Sequence, residues 1–364
     1  MSLGDGVAQV AGTVAGLLPR RLTSPEPRAW RPAEVVLHGA SAGEVKAARA
    51  VLSLRGLTSS RVLLTTGTSA GIHAGADTRL PRDVPRDVSD FLDAVCPRAL
   101  VLVEGELWPT LLRAASRRGI PVGVLGARVS ERTVRTHAAL GGATRTWFSR
   151  PEAWAAATEG DAARLLRLGV RPDRVRVTGW LKWPEPVAVT PDPVAEALVR
   201  DHRATGPLFV LGSVHPGEVR LALAALRGTV LDPARSRWVV VPRHPRRASR
   251  IRRELPPGAV IDARFGVLRA WYAQADAALV GGGARGRATH DLLEPLQGGL
   301  RPLFFASADQ DDVASILLGE GLAIPVGSPP SLTRAPHAWA DLRARFDGRA
   351  AGLAFLSARG VGLP

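Results

Sequence analysis

Short apolar runs alternate with segments of helical periodicity along this chain from about residue 34 onward. The runs that predict β-strands cover residues 34–38, 61–65, 99–103, 121–125 and 175–178 in the first half, and 208–211, 238–241, 259–261, 277–280 and 303–305 in the second. Each run is followed by a stretch compatible with a helix, and this alternation is typical of parallel sheets covered by helices. The pattern therefore predicts an α/β protein with two doubly wound, Rossmann-like units.

A proline-dense segment separates the two sets of predicted strands. Residues 183–193 read Trp-Pro-Glu-Pro-Val-Ala-Val-Thr-Pro-Asp-Pro, which can propagate neither a helix nor a central strand. A length of 364 residues also exceeds the usual size of one domain. We therefore predict an N-terminal domain over 1–182, a linker over 183–195 and a C-terminal domain over 196–364, with a last helix that could pack back on the first domain. Two such units are expected to bind ligands in a cleft at the carboxyl ends of their strands.

The composition is that of a folded globular protein, with 46% hydrophobic and 22% charged residues, and the outlying value is the net charge of +15. Lys46 and Lys182 are the only lysines, so nearly all of the positive charge is arginine. This field favours nucleic acid, phosphorylated ligands or an anionic membrane face. Scattered arginines with few aromatics form no nucleic-acid-binding module, so no nucleic-acid partner is predicted. A single cysteine, Cys96, excludes an internal disulfide and suits a reducing cytosol.

The N-terminus is the nearest candidate for a membrane segment. Residues 7–18 are rich in Gly and Ala and end at Pro19, Arg20 and Arg21, well short of the roughly 18 uninterrupted apolar residues that a spanning helix needs. Valines and leucines recur there at helical spacing, which predicts an interfacial helix within residues 1–22. A frayed helix packed on the first domain is an equal alternative, and a signal peptide is disfavoured because no basic region precedes the segment.

Two sequence patterns suggest other functions. The serine-hydrolase pattern G-x-S-x-G occurs around Ser41 and again around Ser69, but too few strands precede these turns to build the usual hydrolase sheet. Gly281, Gly283 and Gly286 match G-x-G-x-x-G, yet no acidic residue ends a strand about 20 residues later, as dinucleotide binding would need. A glycine turn facing a phosphate or a sugar remains an open alternative there.

In the first half, carboxylates follow two predicted strands. Glu44 comes after the first strand, at the start of a helix, and Glu104 and Glu106 come after the third. Carboxylates that converge at one sheet edge suit general-base chemistry. The alternative is structural, with Glu44 capping its helix and the other two facing solvent.

In the second half, residues suited to an anion follow the predicted strands. Residues 212–218 lie between a strand and a helix, where free backbone N–H groups and the helix dipole attract an anion. Arg243 and His244 end the next strand, and a guanidinium offers bidentate contacts to phosphate or carboxylate. Further on, Glu294 could accept hydrogen bonds from a ribose diol. Together these residues suit an anionic donor such as a sugar nucleotide.

In this order the motifs resemble those of the bacterial 3-deoxy-D-manno-octulosonic acid (Kdo) transferases. The family pattern His-Ala-Ala-Ser-x-Gly-Glu is matched by residues 38–44, with Gly39 in place of one alanine. Seven further ordered matches follow at residues 65–71, 104–112, 127–132, 178–182, 212–218, 242–245 and 290–295.

The resemblance implies a GT-B fold, with two Rossmann-like domains facing a central cleft, and transfer of Kdo from CMP-Kdo to a lipid A precursor with inversion. It implies a peripheral location at the cytoplasmic face of the membrane, Glu44 as general base, and no metal or other cofactor, because arginines and helix N-termini already neutralise the nucleotide. The implied acceptor-side residues are Ser41, Gly43, Glu104, Glu106, Arg128 and Lys182. The implied donor-binding residues are Gly212, Ser213, His215, Arg243, His244, Gly266, Gly282, His290 and Glu294. No oligomeric state is predicted.

Departures from the family pattern cluster in the donor half. Val267 replaces an acidic residue in a segment that carries one extra residue, and Asp291 and Leu292 replace an asparagine and a proline. Trp180 replaces an asparagine in the Thr-Gly-x-Leu-Lys turn. Two alternatives therefore stay open: a relative that uses another activated acidic sugar, and a non-catalytic relative that binds anionic lipid or nucleotide.

Overall fold

The computed structural model describes residues 30–56, 60–139, 142–183, 192–202, 206–284, 289–306 and 312–364. The predicted interfacial segment, residues 1–22, lies outside these ranges. The chain divides into two compact units. Unit 1 comprises Met1–Trp183 and Phe346–Pro364, and unit 2 comprises Pro184–Arg345.

Unit 1 contains a parallel sheet in the order β3-β2-β1-β4-β5-β6-β7. Its described strands are β1 (Val35–Gly39), β2 (Val62–Thr66), β3 (Thr78–Arg79), β4 (Ala99–Val103), β5 (Val122–Ala127), β6 (Ala153–Ala156) and β7 (Val175–Val177). The helices are α1 (Ala42–Leu54), α2 (Ser69–His73), α3 (Pro85–Val95), α4 (Pro109–Arg117), α5 (Glu131–Ala139), α6 (Gly142–Phe148) and α7 (Glu159–Arg167). The order reverses between β1 and β4, the switch point at which open α/β sheets bind ligands.

Unit 2 contains a second parallel sheet, in the order β10-β9-β8-β11-β12-β13. Its described strands are β8 (Leu208–Val214), β9 (Arg237–Pro242), β10 (Val260–Ile261), β11 (Ala277–Val280), β12 (Leu303–Phe304) and β13 (Ile324–Pro325). The helices are α8 (Pro193–His202), α9 (Glu218–Leu226), α10 (Ala248–Arg252), α11 (Leu268–Gln274), α12 (Leu293–Gln297), α13 (Asp312–Gly319) and α14 (Ala338–Phe346). A final helix, α15 (Arg349–Ala358), follows the return of the chain to unit 1.

Both faces of the unit 1 sheet are covered, which explains why its strands read as continuous apolar runs. Within β4, Leu100 and Leu102 pack in one hydrophobic cluster, whereas Val101 and Val103 pack in another. Successive side chains of a strand point to opposite faces, so each cluster fills the space under one helical layer.

The predicted strands are confirmed, and two of them, residues 99–103 and 277–280, have the predicted bounds. Three short strands, β3, β6 and β13, were not predicted. β6 reads Ala-Trp-Ala-Ala, a composition that does not distinguish a strand from a buried helix. The other two are edge strands of two residues, too short for a periodic pattern.

The predicted linker bounds, 183–195, are wrong at both ends. Trp183 is buried against Trp180 in unit 1, with ring centroids 5.1 Å apart. α8 begins at Pro193, because proline at the first position of a helix costs no hydrogen bond.

The last residues, 346–364, belong to unit 1, and α15 packs on its sheet, in line with the expectation that a last helix could pack back on the first domain. A Cβ on Gly179 would lie 2.3 Å from the carbonyl oxygen of Phe346, and a Cβ on Gly123 would lie 2.9 Å from Leu356. The chain therefore returns to the unit 1 sheet at positions where only glycine leaves room for the approaching segment.

Candidate active site

In unit 1, the turn between β1 and α1 holds Glu44 by reciprocal capping. The Ser41 hydroxyl accepts a hydrogen bond from the Glu44 backbone N–H (3.3 Å) and donates one to Glu44 Oε1 (2.8 Å). The backbone N–H of Ala40 donates to Glu44 Oε2 (2.8 Å). This is a capping box at the helix N-terminus, and it orients a half-buried carboxylate. Each oxygen keeps a lone pair for a further donor, so capping and base chemistry are compatible.

Glu104 leaves β4 in a left-handed conformation, with φ of 62°, and Gly105 follows with φ of 105°. Lys182 Nζ donates to Glu104 Oε2 at 2.7 Å, and the two side chains are 39% and 18% exposed. The Lys182 chain also lies against the α1 turn, because a Cβ on Gly43 would be 3.4 Å from Lys182 Cε. The structure thus brings Ser41, Glu44, Glu104 and Lys182 together, and we call these residues the carboxylate cluster.

The predicted convergence of three carboxylates is corrected by this geometry. Glu104 meets the ammonium of Lys182, and Glu106 is exposed. Arg128 has an exposed side chain, and its backbone N–H donates to the Glu104 carbonyl oxygen at 3.0 Å. Arg128 therefore supports the conformation of the Glu104 backbone. A binding role for its side chain stays a prediction.

The hydrolase interpretation of Ser41 and Ser69 is not supported. A nucleophile elbow requires a strained serine, whereas Ser41 has φ of −114° and ψ of 165° and caps α1. Ser69 is the first residue of α2, and its hydroxyl oxygen accepts a hydrogen bond from the Arg79 guanidinium.

In unit 2, the predicted anion site at the start of α9 is occupied by the protein's own carboxylates. The His215 N–H donates to Glu218 Oε2 (2.8 Å), and the Gly282 N–H donates to Glu218 Oε1 (3.1 Å). The Gly217 N–H donates to Glu254 Oε1 at 2.8 Å. Glu218 is only 1% exposed. These amides are not free for an external anion, because side-chain carboxylates already satisfy them.

Three histidines meet beside these occupied amides, and we call His215, His244 and His290 the histidine cluster. His215 Nε2 lies 2.9 Å from His290 Nε2, so one of the two nitrogens carries the shared proton. The rings of His215 and His244 have centroids 5.8 Å apart. Burial, with Arg243 and the other two histidines, lowers the pKa of His290 to about 4. The pKa of His244 is also lowered, by burial and then by Arg247, Arg243 and Arg246.

This arrangement holds the imidazoles of His244 and His290 in the neutral form next to the exposed guanidinium of Arg243. An arriving anion would stabilise the protonated form of the imidazoles, so the cluster can add positive charge when its ligand binds. The side chains of Arg243 and the histidines are therefore better placed to contact a phosphate than the amides at the start of α9.

Glu294 lies at the start of α12, half-buried, with Arg269 Nε at 3.6 Å from its Oε1. Burial and then Asp291 raise the pKa of Glu294. Tyr272 is buried beside it, and its pKa is raised well above the usual value by burial, then by Glu294 and Asp291. A Cβ on Gly212 would overlap the Tyr272 hydroxyl at 1.9 Å, so this position requires glycine.

The other glycine positions have backbone explanations. Gly266 and Gly282 have φ of 81° and 84°, and Ser213 adopts φ of 55° at a bulge in β8. A Cβ on Gly281 would lie 2.5 Å from the Ser213 carbonyl oxygen, so close packing explains a glycine of the dinucleotide-like pattern. Gly286 lies outside the described residues.

The sequence did not predict Glu254 or Tyr272 in this site, and it did not predict that Glu218 joins two turns by accepting hydrogen bonds from both. Glu218 had a local signal, an acidic residue at the first position of a helix, where the helix dipole and free N–H groups favour a carboxylate. Glu254 follows α10 and Tyr272 lies in α11, and no local sequence pattern predicts that either residue contacts this site.

Among the described residues, no group of three or more His, Cys, Asp or Glu side chains could hold a metal ion. The same part of the chain contains no helix with the length and apolar character needed to cross a membrane. That no metal is required stays a prediction.

Comparison with known proteins identifies the family to which the chain belongs. Residues 16–184 match the family model described as 3-deoxy-D-manno-octulosonic-acid transferase (kdotransferase). The chain is 30% identical over 328 residues to the 3-deoxy-D-manno-octulosonic acid transferase of Bordetella pertussis, covering 78% of this chain and 75% of that protein. The chain belongs to the Kdo transferase family. It is therefore a glycosyltransferase.

Solved structures agree on the fold of this Kdo transferase family member. UDP-GlcNAc 2-epimerase from Neisseria meningitidis superposes with a TM-score of 0.54 at 15% identity, covering 90% of this chain and 96% of that chain. CalG4, the calicheamicin glycosyltransferase, superposes with a TM-score of 0.52 at 13% identity, covering 91% of this chain and all (100%) of that chain. The fold is of the GT-B type, as the resemblance implied.

Proposed function

We propose that this enzyme transfers Kdo from CMP-Kdo to a lipid A precursor, with inversion at the anomeric carbon, at the cytoplasmic face of the membrane. The family membership and the pattern of matched motifs support the donor and the acceptor. The observation that carries the mechanism is Glu44, a half-buried carboxylate that two donors hold at the start of α1.

In the proposed step, the acceptor hydroxyl oxygen bonds to the anomeric carbon while the bond from that carbon to the CMP phosphate oxygen breaks. Glu44 takes the hydroxyl proton, and CMP leaves with the bonding electron pair. A base fixed by short hydrogen bonds loses little entropy on reaching the transition state. Lys182, oriented by Glu104, is the acceptor-side cation in this proposal.

On the donor side, Arg243 and the histidine cluster contact the CMP phosphate, and Glu294 accepts from the ribose hydroxyls. Two observations support this assignment. The backbone N–H groups at the start of α9 already donate to Glu218 and Glu254, so the side chains of Arg243 and the histidine cluster are the groups left to bind an anion. The proposed reaction uses no metal, so we expect EDTA to leave the transfer rate unchanged.

The central test is Glu44→Gln, assayed for Kdo transfer from CMP-Kdo to a lipid A precursor. Glutamine keeps the shape of the side chain, and the Ser41 hydroxyl can rotate to pair with it, so the variant should fold and still bind CMP. Transfer should fall by about 10²- to 10⁴-fold, the usual contribution of a general base. Glu159→Gln is the matched control, because Glu159 also begins a helix after a unit 1 strand and is exposed. Unchanged turnover in Glu44→Gln would show that another group is the base.

The donor is tested by calorimetric titration with CMP. Binding should be saturable and should weaken about tenfold or more in Arg243→Ala, because charge-assisted contacts to phosphate are lost. Tight binding of another nucleotide without CMP affinity would favour the alternative activated sugar. CMP or lipid binding without turnover of any sugar nucleotide would favour the non-catalytic relative.

A further inference from the structure

A small cavity lies between α3 and α4 of unit 1, away from the residues assigned above. Its volume is about 250 Å³, just below the roughly 300–1,000 Å³ typical of sites for whole small molecules. The polar residues of its lining are Ser89, Thr110, Arg113, Arg117 and Arg118, and we call this set the arginine pocket. A cavity of this size and polarity suits one small anionic group.

Arg113 is the most informative member of the arginine pocket. It is only 8% exposed, yet within the described residues its guanidinium makes no hydrogen bond and no ion pair. Buried charges are normally paired because desolvation of an uncompensated ion is costly. The stem of Arg113 is therefore buried by packing, while its guanidinium lines the cavity and is open to a ligand there.

The other arginines add charge in an ordered arrangement. Arg118 donates to Ser89 Oγ (2.8 Å) and to Asp93 Oδ1 (2.7 Å), which fixes its position. Arg117 is exposed and lies one helical turn beyond Arg113 on the same face of α4. Asp93 neutralises one of three guanidinium groups, so the lining keeps a positive balance.

We propose that the arginine pocket is a binding site for a phosphate group, carried either by a lipid headgroup or by a soluble phosphate compound. Arg113 and Arg117 supply planar forks that match phosphate oxygens, and the Thr110 hydroxyl at the pocket wall can donate one more hydrogen bond. The site depends on α3 and α4 of unit 1 and is independent of the proposed sugar transfer.

The test is calorimetric titration of the full-length protein with inorganic phosphate at constant ionic strength. All variants carry Arg243→Ala, so that phosphate at the proposed donor site does not contribute. The parent should bind phosphate saturably, and Arg113→Gln and Arg117→Gln should each weaken this binding by about tenfold or more. Arg55→Gln is the matched control, because Arg55 is an exposed arginine at the end of α1 and does not line the pocket.

A second measurement separates a ligand site from a structural role. In phosphate-free buffer, Arg113→Met should melt no lower than the parent, because methionine keeps the apolar packing of the buried stem and no hydrogen bond or ion pair is lost. The same variant should lose the rise in melting temperature that phosphate gives the parent. Phosphate affinity unchanged in Arg113→Gln, an equal loss in Arg55→Gln, or a clear drop in melting temperature for phosphate-free Arg113→Met would each overturn the proposal.

Sedimentation with phosphatidylcholine vesicles, with and without phosphatidic acid, identifies the source of the phosphate. If Arg113→Gln reduces binding to the phosphatidic acid vesicles, the ligand is a lipid headgroup. If phosphate binding depends on Arg113 while vesicle binding does not, the ligand is a soluble phosphate. Absence of both kinds of binding in the parent overturns the site.

Discussion

Glu44 in unit 1 and Glu218 in unit 2 both lie in the first turn of a helix, as its third and its first residue respectively. Each follows a glycine after the first strand of its unit, and each accepts a hydrogen bond from a backbone N–H three or four residues earlier, at Ala40 and His215 respectively. Their environments differ. Glu44 stays half-buried with a hydroxyl as its second partner, whereas Glu218 is 1% exposed and reaches the Gly282 amide of the turn after β11.

The difference shows how one local motif serves two purposes. Both oxygens of the Glu218 carboxylate accept hydrogen bonds from backbone N–H groups of two turns, so this side chain stabilises the end of the sheet. Glu44 is held only by its own turn and keeps an accessible side. The binding of the donor in unit 2 is therefore proposed to depend on other side chains, His215, His244 and Arg243, that lie near the turn.

The largest expected effect compares alanine at the two positions. Glu218→Ala leaves two buried N–H groups without an acceptor and should lower the free energy of unfolding by about 3–5 kcal/mol. Glu44→Ala removes a partly exposed cap and should cost about 1 kcal/mol. Urea unfolding followed by tryptophan fluorescence checks both values, since Trp154 is buried in unit 1 and Trp238 and Trp271 are buried in unit 2. Equal losses of unfolding free energy at the two positions would contradict the distinction between Glu218, which stabilises the fold, and Glu44, which stays accessible.

The next effect is a pH dependence confined to unit 2. The pKa of His290 is lowered from 6.5 to about 4 by burial and neighbouring cations, so the unfolded chain binds its proton first as the pH falls. The stability tied to the neutral imidazole is therefore complete above about pH 6.5 and is lost as the pH falls through about 4. Urea titrations over this range should show a shallower loss in His290→Gln than in the wild type. Parallel curves would mean that His290 titrates normally.

A smaller effect concerns two residues with left-handed backbone, Glu104 in unit 1 and Ser213 in unit 2. Ser213→Gly should raise the free energy of unfolding by about 1 kcal/mol, because glycine adopts its φ of 55° without strain. Glu104→Gly relieves a similar strain but removes the ion pair with Lys182, so its gain should be smaller. Differential scanning calorimetry ranks the two variants. A larger gain for Glu104→Gly would indicate that the ion pair does not stabilise unit 1.

The smallest expected effect is the coupling within the carboxylate cluster. The Lys182–Glu104 pair is partly exposed, at 39% and 18%, so a double-mutant cycle with Lys182→Met and Glu104→Gln should give about 0.5 kcal/mol of coupling in stability. The same cycle applied to transfer rates should give a larger coupling, because the pair is proposed to orient a cation rather than to stabilise the fold. Equal couplings in both measurements would assign the pair a structural role alone.

Local pattern predicted much of the fold and part of the site. Buried parallel strands such as β4 and β11 appear in the sequence as apolar runs, and the polar or turn residues on either side mark where each run ends. The Ser41 and Glu44 capping pair is encoded at a spacing of three residues, so the position of the carboxylate at a helix start follows from the sequence. The role of Glu44 as general base was predicted from the family resemblance and not from the local spacing.

Contacts between distant segments were decided by tertiary structure alone. Lys182 reaches Glu104 across 78 positions, and Glu218 meets Gly282 across 64. The extent of the segment that returns to unit 1, residues 346–364, and the absence of a partner for Arg113 among the described residues also depend on tertiary packing. Periodicity reports which face of an element is buried, but which elements meet there depends on the packing of the whole sheet. The sequence by itself thus determined the longer apolar strands and the capped glutamate, and the packed structure decided the short edge strands and which charges have partners.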